Sequence, residues 1–469
     1  MLNSVKEQFQ KEQNDLLMTV LNGRYFSPWK SKNPDDQYNL RRDSNLEIYV
    51  TNICNQKCEY CYLTKYDGLY PSELRSPELL LKNLRMLFDY LIENNMHIAK
   101  ADYFTGEIWH TQFGLDILEI SLEYIKKGLQ VDWWMIASNC SFVMQDESLH
   151  RIQHYIDEFK RYGSQLVFSI SIDGKIIEEQ ERPMNDGTIK TDEDYDKYFC
   201  FAKHNGFGFH PMVASKSVGK WIENHKWFEK KMKEYDMNDD IHTLMMLEVR
   251  NNDWTDETIQ QYNEFMDYLI EKYIVEACNN DIKIFANTLM ITRRQNKIGL
   301  GGYVPWCFPE SDSFIGCTCA TDMCVRLGDL AICPCHRTAY NKYIYGYFDV
   351  ENDKITGITA NNPQMAIKIL MSNFNGCIHG CDSCVFCDYC LKGCFGAQIE
   401  SVGDPFIPNP TVCKFFKEKY GHLIQKYKDL GVIDYYRTFT PYEEGYERVK
   451  KFLNMVDRWE EKNCNGMGK

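Results

Sequence analysis

Short apolar runs alternate with longer amphipathic stretches over the first 280 residues or so. The runs have the length and the β-branched and aromatic content of strands, and the stretches repeat their apolar residues at helical spacing. We predict strands at 46–52, 98–105, 131–138, 166–172, 207–214 and 243–249. The clearest predicted helices are 76–95, 113–129 and 255–280, the first and last beginning at Ser76 and Thr255, both suitable N-cap residues. This alternation is typical of an α/β fold built on a parallel sheet.

Six such βα units predict a partial (β/α)6 TIM-like barrel over residues 46–280, with reactive side chains at the carboxyl ends of its strands. Residues 1–45 hold one helical stretch and a polar loop, and we expect them to form an N-terminal extension. Residues 281–415 are rich in glycine and cysteine and show no sustained period, which indicates an irregular domain held together by metal. Residues 416–469 are charged and amphipathic and predict a helical tail.

The charge balance bears on possible partners. The 469 residues include 53 Lys and Arg against 67 Asp and Glu, a net charge of -14. Because an anionic surface repels phosphate, we expect neither nucleic acid nor an anionic membrane as a partner. The apolar run at 131–137 is too short to span a bilayer, and the polar N-terminus is unlike a signal peptide. These features predict a cytoplasmic protein.

Cysteine is abundant and unevenly placed. Thirteen of the 20 cysteines lie between Cys307 and Cys413. Cytoplasmic thiols are kept reduced, so dense cysteine there indicates metal binding or catalysis rather than disulfides.

A separate group of three cysteines directly follows the first predicted strand. The sequence TNICNQKCEYCYL gives Cys54, Cys58 and Cys61 the spacing C-x3-C-x2-C. Three thiolates can hold three corners of a [4Fe–4S] cluster and leave the fourth iron open to a substrate. The alternative is a structural zinc site, which requires a fourth Cys or His that neither this loop nor the next strand supplies.

With Tyr60 before its last cysteine and its place after the first strand of a βα barrel, this motif resembles the radical S-adenosylmethionine (SAM) superfamily. The resemblance implies that the open iron chelates SAM. An electron supplied by an external donor of the flavodoxin or ferredoxin type then splits SAM into methionine and a 5'-deoxyadenosyl radical, which takes a hydrogen from the substrate.

Residues after the second and fourth strands extend the resemblance. Gly106 and Glu107 occupy the place of the family's Gly-Gly-Glu-Pro turn, with Thr105 and Ile108 replacing the outer Gly and Pro. The later sequence SIDGKIIEEQER resembles the Ser-Leu-Asp-Gly pattern with a downstream Arg that occurs in one subgroup. The resemblance implies SAM contacts from Tyr60, Gly106, Glu107, Ser171, Asp173 and Arg182, with Gly174 in the same turn.

The cysteine-rich region resembles a SPASM domain, the C-terminal extension of radical SAM enzymes that mature peptides and proteins. The pattern is Cys317, ten residues, Gly328, four residues and Cys333, then Cys381, Cys384, Cys390 and Cys394 spaced C-x2-C-x5-C-x3-C, then Cys413. The resemblance implies two auxiliary [4Fe–4S] clusters. The first would take Cys317, Cys333, Cys394 and either Cys324 or Cys319, and the second Cys381, Cys384, Cys390 and Cys413.

Alternatives remain within this region. The local sequence PCHR favours Cys335 over Cys333 as a ligand. Cys307, Cys377 and Cys387 are surplus and are either alternative ligands or buried thiols. A pair of zinc knuckles is the alternative for the whole domain.

The resemblance implies a radical SAM enzyme that modifies a ribosomally made precursor peptide by installing a thioether or carbon–carbon crosslink. The alternatives are oxidation of a sulfatase Ser or Cys to formylglycine, dehydrogenation of a small alcohol, and a non-catalytic iron–sulfur carrier. In sulfatase-maturing relatives an acid follows a cluster cysteine, whereas here Cys335 precedes His336. The segment before Cys54 is too short for a leader-binding winged-helix domain. His210, Glu248, Arg250 and His336 are further candidates for the mouth of the barrel.

Overall fold

The computed structural model describes residues 8, 11–12, 45–65, 76–237, 243–276, 281–284, 286, 323–339, 341–361, 380–381, 383–390, 394–443 and 445–466. The chain divides into two compact units. The first comprises Met1–Pro211, Trp227–Leu244 and Thr318–Asn373, and the second comprises Met212–Lys226, Met245–Cys317 and Phe374–Lys469. The predicted domain boundaries at 45, 280 and 415 stay predictions.

The first unit is an α/β structure around a mostly parallel sheet, with the strand order β10-β9-β8-β7-β1-β2-β3-β4. Its strands are β1 (Asn45–Thr51), β2 (His97–Thr105), β3 (Gln130–Ser138), β4 (Gln165–Ile170), β7 (Met323–Arg326), β8 (Ala331–Cys333), β9 (Gly346–Glu351) and β10 (Lys354–Ala360). β1 to β4 and β7 run parallel, and β8 to β10 are antiparallel additions. This architecture is consistent with a TIM-like fold.

Helices follow the strands of this sheet. They are α1 (Pro77–Glu93), α2 (Gln112–Lys126), α3 (Asp146–Arg161) and α4 (Asp192–Asn205), with short helical turns at Tyr62–Lys65, Ser141–Met144, Glu178–Glu181, His336–Thr338 and Asn341–Tyr343. The turn Val218–Lys220 and the start of α5 (Trp221–Glu234) are assigned to the second unit, and α5 from Trp227 onward to the first. The Trp134 ring of β3 lies 5.7 Å from Phe88 of α1 and 5.9 Å from Phe159 of α3. The helices therefore bury one face of the sheet, as the helical periodicity predicts.

The second unit contains β5 (Met212–Val213) and β6 (Leu247–Glu248), a short parallel pair. Its helices are α6 (Asp256–Ile270), continued by a π-helical turn at Glu271–Glu276, α7 (Phe395–Val402), α8 (Pro410–Asp429), α9 (Val432–Arg437) and α10 (Tyr446–Gly466). Phe415 of α8 packs against Tyr262 of α6, with 4.9 Å between ring centroids, and against Trp254 at 4.4 Å. These rings form an aromatic core that holds α6 against α8.

The structure confirms the first four predicted strands and the three predicted helices, apart from residues 277–280, which lie outside the described residues. Thr255 caps α6 by accepting the N–H of Thr258, whereas the Ser76 hydroxyl bonds to Glu78 instead of capping α1. The predicted strand at 207–214 is reduced to a bridge at Phe209 and two residues of β5. The strand at 243–249 is similarly reduced to a bridge at Leu244 and two residues of β6.

β7 to β10 lie in the region that we predicted to be irregular. β7 pairs with β1, and β8 places Cys333 directly opposite Cys324 of β7. Both thiols are buried. In the part of the chain that is described, no helix is both long enough and apolar enough to cross a bilayer.

Candidate functional site

The loop that carries Cys54, Cys58 and Cys61 follows β1 and is paired along its backbone with residues 181–185. Three hydrogen bonds connect the two segments: Lys57 N–H to Pro183 O at 3.0 Å, Glu59 N–H to Glu181 O at 2.9 Å, and Asn185 N–H to Asn55 O at 2.9 Å. The Asn185 side chain also donates to the carbonyl of Cys54 at 2.9 Å. The loop is therefore held in shape by main-chain bonds that do not involve its thiols.

All three thiols are half-buried. Burial raises the pKa of Cys54 to about 12, although the N–H of Gln56, 3.4 Å from its sulfur, acts in the opposite direction. Burial likewise raises the pKa of Cys58, and the Arg182 guanidinium partly offsets this effect. In the metal-free loop both groups are therefore protonated at neutral pH. A bound cation would reverse this preference, because coordination deprotonates a thiol.

Three thiolates on a short loop have the donor chemistry that an iron–sulfur cluster requires. Within the described ranges, no three Cys, His, Asp or Glu side chains converge in the way that the ligands of a single ion do. Each cysteine of a [4Fe–4S] cube binds a different iron, so the loop residues fit a cluster in donor type and number.

Gly106 stands where the end of β2 meets the cysteine loop. Its N–H donates to Thr51 O at 3.0 Å, and the N–H of Glu107 donates to Ile53 O at 2.8 Å. A Cβ at position 106 would overlap the carbonyl oxygen of Ile53 and lie 2.5 Å from its carbonyl carbon and 2.9 Å from the Cβ of Cys54. Only glycine permits this approach, which explains the Gly-Glu pair that the sequence singled out.

Glu107 is buried, with 1% of its surface exposed. One carboxylate oxygen, Oε2, accepts the Ser138 hydroxyl at 2.8 Å and the Asn139 N–H at 2.7 Å. The other, Oε1, has no partner in good hydrogen-bond geometry among the described residues, although the N–H groups of Trp109 and Cys140 also favour the ionised carboxylate. Burial raises the pKa of Glu107 to about 7, and the surrounding donors limit the rise. A buried acid with an unsatisfied oxygen beside a cysteine loop suits a cationic ligand such as an ammonium group.

Glu107 should make stability depend on pH. Its pKa is about 7 in the folded chain against an ordinary 4.5, so the folded state binds more protons between these values and stability falls as pH rises through them. Glu107→Gln removes the ionisation, so the variant does not lose this stability as the pH rises. We expect the free energy of unfolding of the variant, relative to that of the parent, to be roughly 3 kcal/mol more favourable at pH 8 than at pH 4.5. Urea unfolding of SAM-free protein at both pH values measures the difference. A difference that does not change with pH would contradict the assignment.

Asp173, Arg182 and Tyr60 form a second group, in which the two charged side chains are buried and Tyr60 is half-buried. Arg182 Nε lies 3.0 Å from Asp173 Oδ2, and the Tyr60 hydroxyl donates to the same oxygen at 2.6 Å. The guanidinium carbon also lies 5.3 Å from the centroid of the Tyr60 ring. The structure thus brings together three predicted SAM-binding residues, and two of them belong to an ion pair within the protein.

Glu178 and Lys190 support this group, and neither was predicted from the sequence. Glu178 Oε2 accepts the N–H of Asp173 at 2.6 Å and that of Gly174 at 3.3 Å. Lys190 Nζ donates to the other oxygen at 2.8 Å, and both side chains are fully buried. The pair therefore fixes the turn that carries Asp173. In the sequence, only the position of Glu178 between the predicted SAM-binding residues Asp173 and Arg182 pointed to it.

A polar network joins the ends of β2 and β3 to the cysteine loop. Asn139 Nδ2 donates to Asn55 Oδ1 at 2.8 Å, and Asn55 Nδ2 donates to Ser141 Oγ at 2.7 Å. Ser171, at the end of β4, donates its N–H to Ser138 O at 2.7 Å. Nothing in the sequence singled out Asn55, Ser138 and Asn139, although Ser138 ends β3 and Asn139 follows it, close to where Gly106 and Glu107 follow β2.

The other candidates for the mouth of the barrel have definite partners. His336 stacks on Phe104 at 3.6 Å, and its Nδ1 lies 3.2 Å from Glu47 Oε2. Although burial opposes ionisation of Glu47, His336 holds the pKa of Glu47 below its ordinary value. Burial and the nearby Arg182 lower the pKa of His210 to about 4, so His210 is neutral at pH 7.

In the second unit, Glu248 Oε1 lies 3.9 Å from Lys419 Nζ, and both side chains are buried. Arg250, from the same segment, stacks its guanidinium over Phe416 at 5.8 Å. These two predicted candidates thus face helix α8.

The predicted auxiliary-cluster ligands are divided between the two units. Cys324, Cys333 and Cys335 are buried in the first, while Cys381, Cys384, Cys390, Cys394 and Cys413 are half-buried in the second. Cys317 and its alternative Cys319 lie outside the described residues. The assignment of ligands to the two clusters stays a prediction.

Comparison with known proteins gives a structural likeness only. No family model and no curated protein matches the sequence. Among solved structures, native anSMEcpe with bound AdoMet (S-adenosylmethionine) matches with a TM-score of 0.53 at 16% identity, over 82% of this chain and 98% of that one. A hexahistidine-tagged form of anSMEcpe with bound AdoMet matches with a TM-score of 0.52 at 15% identity, over 88% and 98%. At such identities the likeness shows a shared fold.

Proposed function

We propose that this protein is a radical SAM enzyme that modifies a ribosomally synthesised peptide. The observation that carries the proposal is Glu107, a buried acid with an unsatisfied oxygen, fastened through Gly106 to a loop of three cysteines. The shared fold with anSMEcpe, which has AdoMet bound, supports the same cofactor here. When bound, a [4Fe–4S] cluster with SAM supplies a 5'-deoxyadenosyl radical that takes a hydrogen atom from the substrate.

The residues of this chain have separate tasks in the proposal. Cys54, Cys58 and Cys61 would hold the cluster. Glu107 would accept the SAM ammonium, which favours its ionised form and releases a proton near neutral pH. Asp173 and Arg182 are both buried and would orient the ligand. Their ion pair holds the two side chains in position before the ligand binds.

The SPASM-like cysteine spacing supports a peptide substrate, since that resemblance is to enzymes that mature peptides and proteins. The proposed product is a thioether or carbon–carbon crosslink, whose formation leaves one electron to be removed. The cysteines of the SPASM-like region would hold two auxiliary clusters, which would supply an acceptor for that electron. A precursor peptide and an external one-electron donor are the proposed partners. The acidic net charge of -14 favours a basic peptide.

A second candidate is formylglycine formation in a sulfatase. The shared fold favours it, because anSMEcpe is an anaerobic sulfatase-maturating radical SAM enzyme. His336, which follows Cys335 where an acid is expected, argues against it. The products distinguish the two candidates: a crosslinked peptide is lighter by two hydrogens, contains no aldehyde and, where the crosslink is a thioether, resists alkylation of that thiol, whereas formylglycine reacts with a hydrazide probe.

The test is the iron content and 5'-deoxyadenosine yield of anaerobically loaded protein, with SAM and dithionite, compared with the Cys54→Ala, Cys58→Ala, Cys61→Ala triple variant. We expect roughly 12 irons in the parent and about eight in the variant, because one of three [4Fe–4S] clusters is lost. The variant should form no 5'-deoxyadenosine. Cys200→Ala is the control, since that exposed thiol belongs to no proposed site. Unchanged turnover in the triple variant, or zinc in place of iron, would refute the proposal.

A further inference from the structure

Gln56 lies inside the cysteine loop, between Cys54 and Cys58. The residue is buried, with 2% of its surface exposed. Its backbone N–H donates to the sulfur of Cys54 at 3.4 Å, and its side-chain oxygen, Oε1, accepts the thiol of Cys58 at 3.8 Å. One residue that is not itself a proposed ligand therefore contacts the sulfur atoms of two proposed ligands.

The backbone of Gln56 is held in position by the segment opposite the loop. Gln56 forms an antiparallel bridge with Met184. The next residue, Lys57, donates its N–H to Pro183 O at 3.0 Å. These contacts fix the point from which the Gln56 side chain extends. Its amide can therefore exchange nitrogen for oxygen by rotating about the terminal side-chain bond, without any movement of the loop.

The amide nitrogen of Gln56, Nε2, is buried and has no hydrogen-bond partner within the described ranges. A buried N–H that has lost its bonds to water and gained none in return costs folding free energy. Such groups are rare in folded proteins unless a ligand or an ion satisfies them. The unpaired nitrogen belongs to the same amide that contacts the Cys58 sulfur, so the acceptor it lacks is one that a ligand of the cysteine loop can supply.

The Cys58 sulfur changes its hydrogen-bonding role when it binds iron. As a free thiol it donates to Oε1 of Gln56. A coordinated sulfur is a thiolate, which has no proton to donate and accepts hydrogen bonds instead. Two acceptors would then face each other. A half-turn of the amide puts Nε2 in the place of Oε1, which gives the sulfur a donor and the nitrogen a partner.

We propose that the Gln56 amide donates to the Cys58 sulfur in the iron-loaded loop and thereby raises the reduction potential of the cluster. The inference rests on the proposed function, which puts a [4Fe–4S] cluster on this loop. The step concerned is the transfer of one electron from the external donor to the cluster, in which no covalent bond forms or breaks. A donor at the sulfur stabilises the reduced cluster more than the oxidised one, because the reduced cluster carries one more negative charge.

Gln56→Met tests the proposal, because methionine has an unbranched side chain of similar length but no N–H donor. Anaerobically loaded protein without SAM is titrated with a reductant, and the reduced cluster is followed by electron paramagnetic resonance. The cluster of the loop gives the signal that the Cys54→Ala, Cys58→Ala, Cys61→Ala triple variant lacks. At the potential where half of this cluster is reduced in the parent, we expect the ratio of reduced to oxidised cluster to be lower in Gln56→Met by about threefold or more.

Gln153→Met is the matched control for loss of a glutamine amide. Gln153 lies on α3 in the same unit, and its amide exchanges hydrogen bonds with Asn205 at 3.0 Å. We expect the cluster of this variant to be reduced at the potential of the parent. Gln56→Leu is a second variant without a donor and should behave like Gln56→Met. Iron content and circular dichroism show whether each variant is loaded and folded.

A measurement on the parent protein decides the case in which neither Gln56 variant holds a cluster on the loop. Parent protein made with glutamine that is isotopically labelled at the side-chain amide nitrogen is loaded with iron and reduced. Electron–nuclear double resonance detects labelled nitrogen close to the unpaired electron of the cluster. We expect a coupling to the labelled nitrogen in the loop-cluster signal, because the amide donates directly to a ligand sulfur.

A ratio within about threefold of the parent in the loaded Gln56 variants overturns the proposal, as does a ratio higher than that of the parent. Absence of the nitrogen coupling in the labelled parent also overturns it. If the parent holds no more iron than the triple variant and forms no 5'-deoxyadenosine, the proposed function fails and this inference fails with it. Iron on the loop and SAM cleavage without the shift in potential remove only the role of Gln56, so the two failures are distinguishable.

Discussion

Replacement of Arg182 by methionine should lower the free energy of unfolding by about 3–5 kcal/mol. The side chain of Asp173 is fully buried and that of Arg182 nearly so, with 3.0 Å between Nε and Oδ2. Removing only the guanidinium leaves a carboxylate in a buried setting without its cationic partner. Chemical denaturation of the parent and the variant measures the loss.

The control for this prediction is a double-mutant cycle. Arg182→Met combined with Asp173→Asn removes both charges and should recover a large part of the loss, because the cost of an uncompensated charge disappears. Tyr60→Phe, which removes only the hydroxyl bond to Asp173, should cost no more than about 1–3 kcal/mol. A loss below about 1 kcal/mol for Arg182→Met would show that the ion pair is not what stabilises this turn.

Gly106→Ala should reduce 5'-deoxyadenosine formation by at least about 100-fold. The added methyl group overlaps the backbone of Ile53 and approaches the Cβ of Cys54, so the cysteine loop must move away from β2. Overpacking of this kind also costs about 1–3 kcal/mol of stability. Turnover assays with SAM and dithionite, together with thermal unfolding, measure both effects.

Gly421→Ala is a matched control for the same change. Its Cβ would meet only side-chain atoms of Trp459, at 3.4 Å or more, in the middle of α8. Alanine is the better helix former, so this variant should be as stable as the parent or up to about 1 kcal/mol more stable. Full activity in Gly106→Ala would mean that the close approach of Gly106 to the loop has no functional importance.

The sequence was most informative where the pattern of apolar residues extends over many positions or where the spacing of residues in a motif is specific. β1 to β4 and helices α1, α2 and α6 follow from patterns of seven or more residues, and Gly106 and Glu107 follow from their place after a strand. The fifth and sixth predicted strands are reduced to two-residue pairs, because a short apolar run predicts a strand without showing how many of its residues find a partner to pair with. β7 was missed because its partner β1 lies roughly 280 residues away. β8 to β10 pair with their neighbours in sequence and were missed because the cysteine content of this region and its lack of a sustained period indicated irregular structure.

The same reason explains the residues that were missed at the site. Asn55 and Asn139 act through a bond between loops 84 residues apart, and Ser138 acts through its bond to Glu107, 31 residues away; no local pattern encodes such contacts. The Glu178–Lys190 pair spans 12 residues and becomes visible only because both groups are buried. A sequence shows which residue types suit a chemistry. The residues that hold them in position depend on how the fold brings the strands together.

The main-chain bonds between the cysteine loop and residues 181–185 bear on how iron would be acquired. They join main-chain groups only, so they do not depend on the thiols. Loss of a cluster should therefore leave the backbone of this loop in place, and little of the metal–sulfur binding free energy should be needed to order the chain. The loop should take up iron again without refolding.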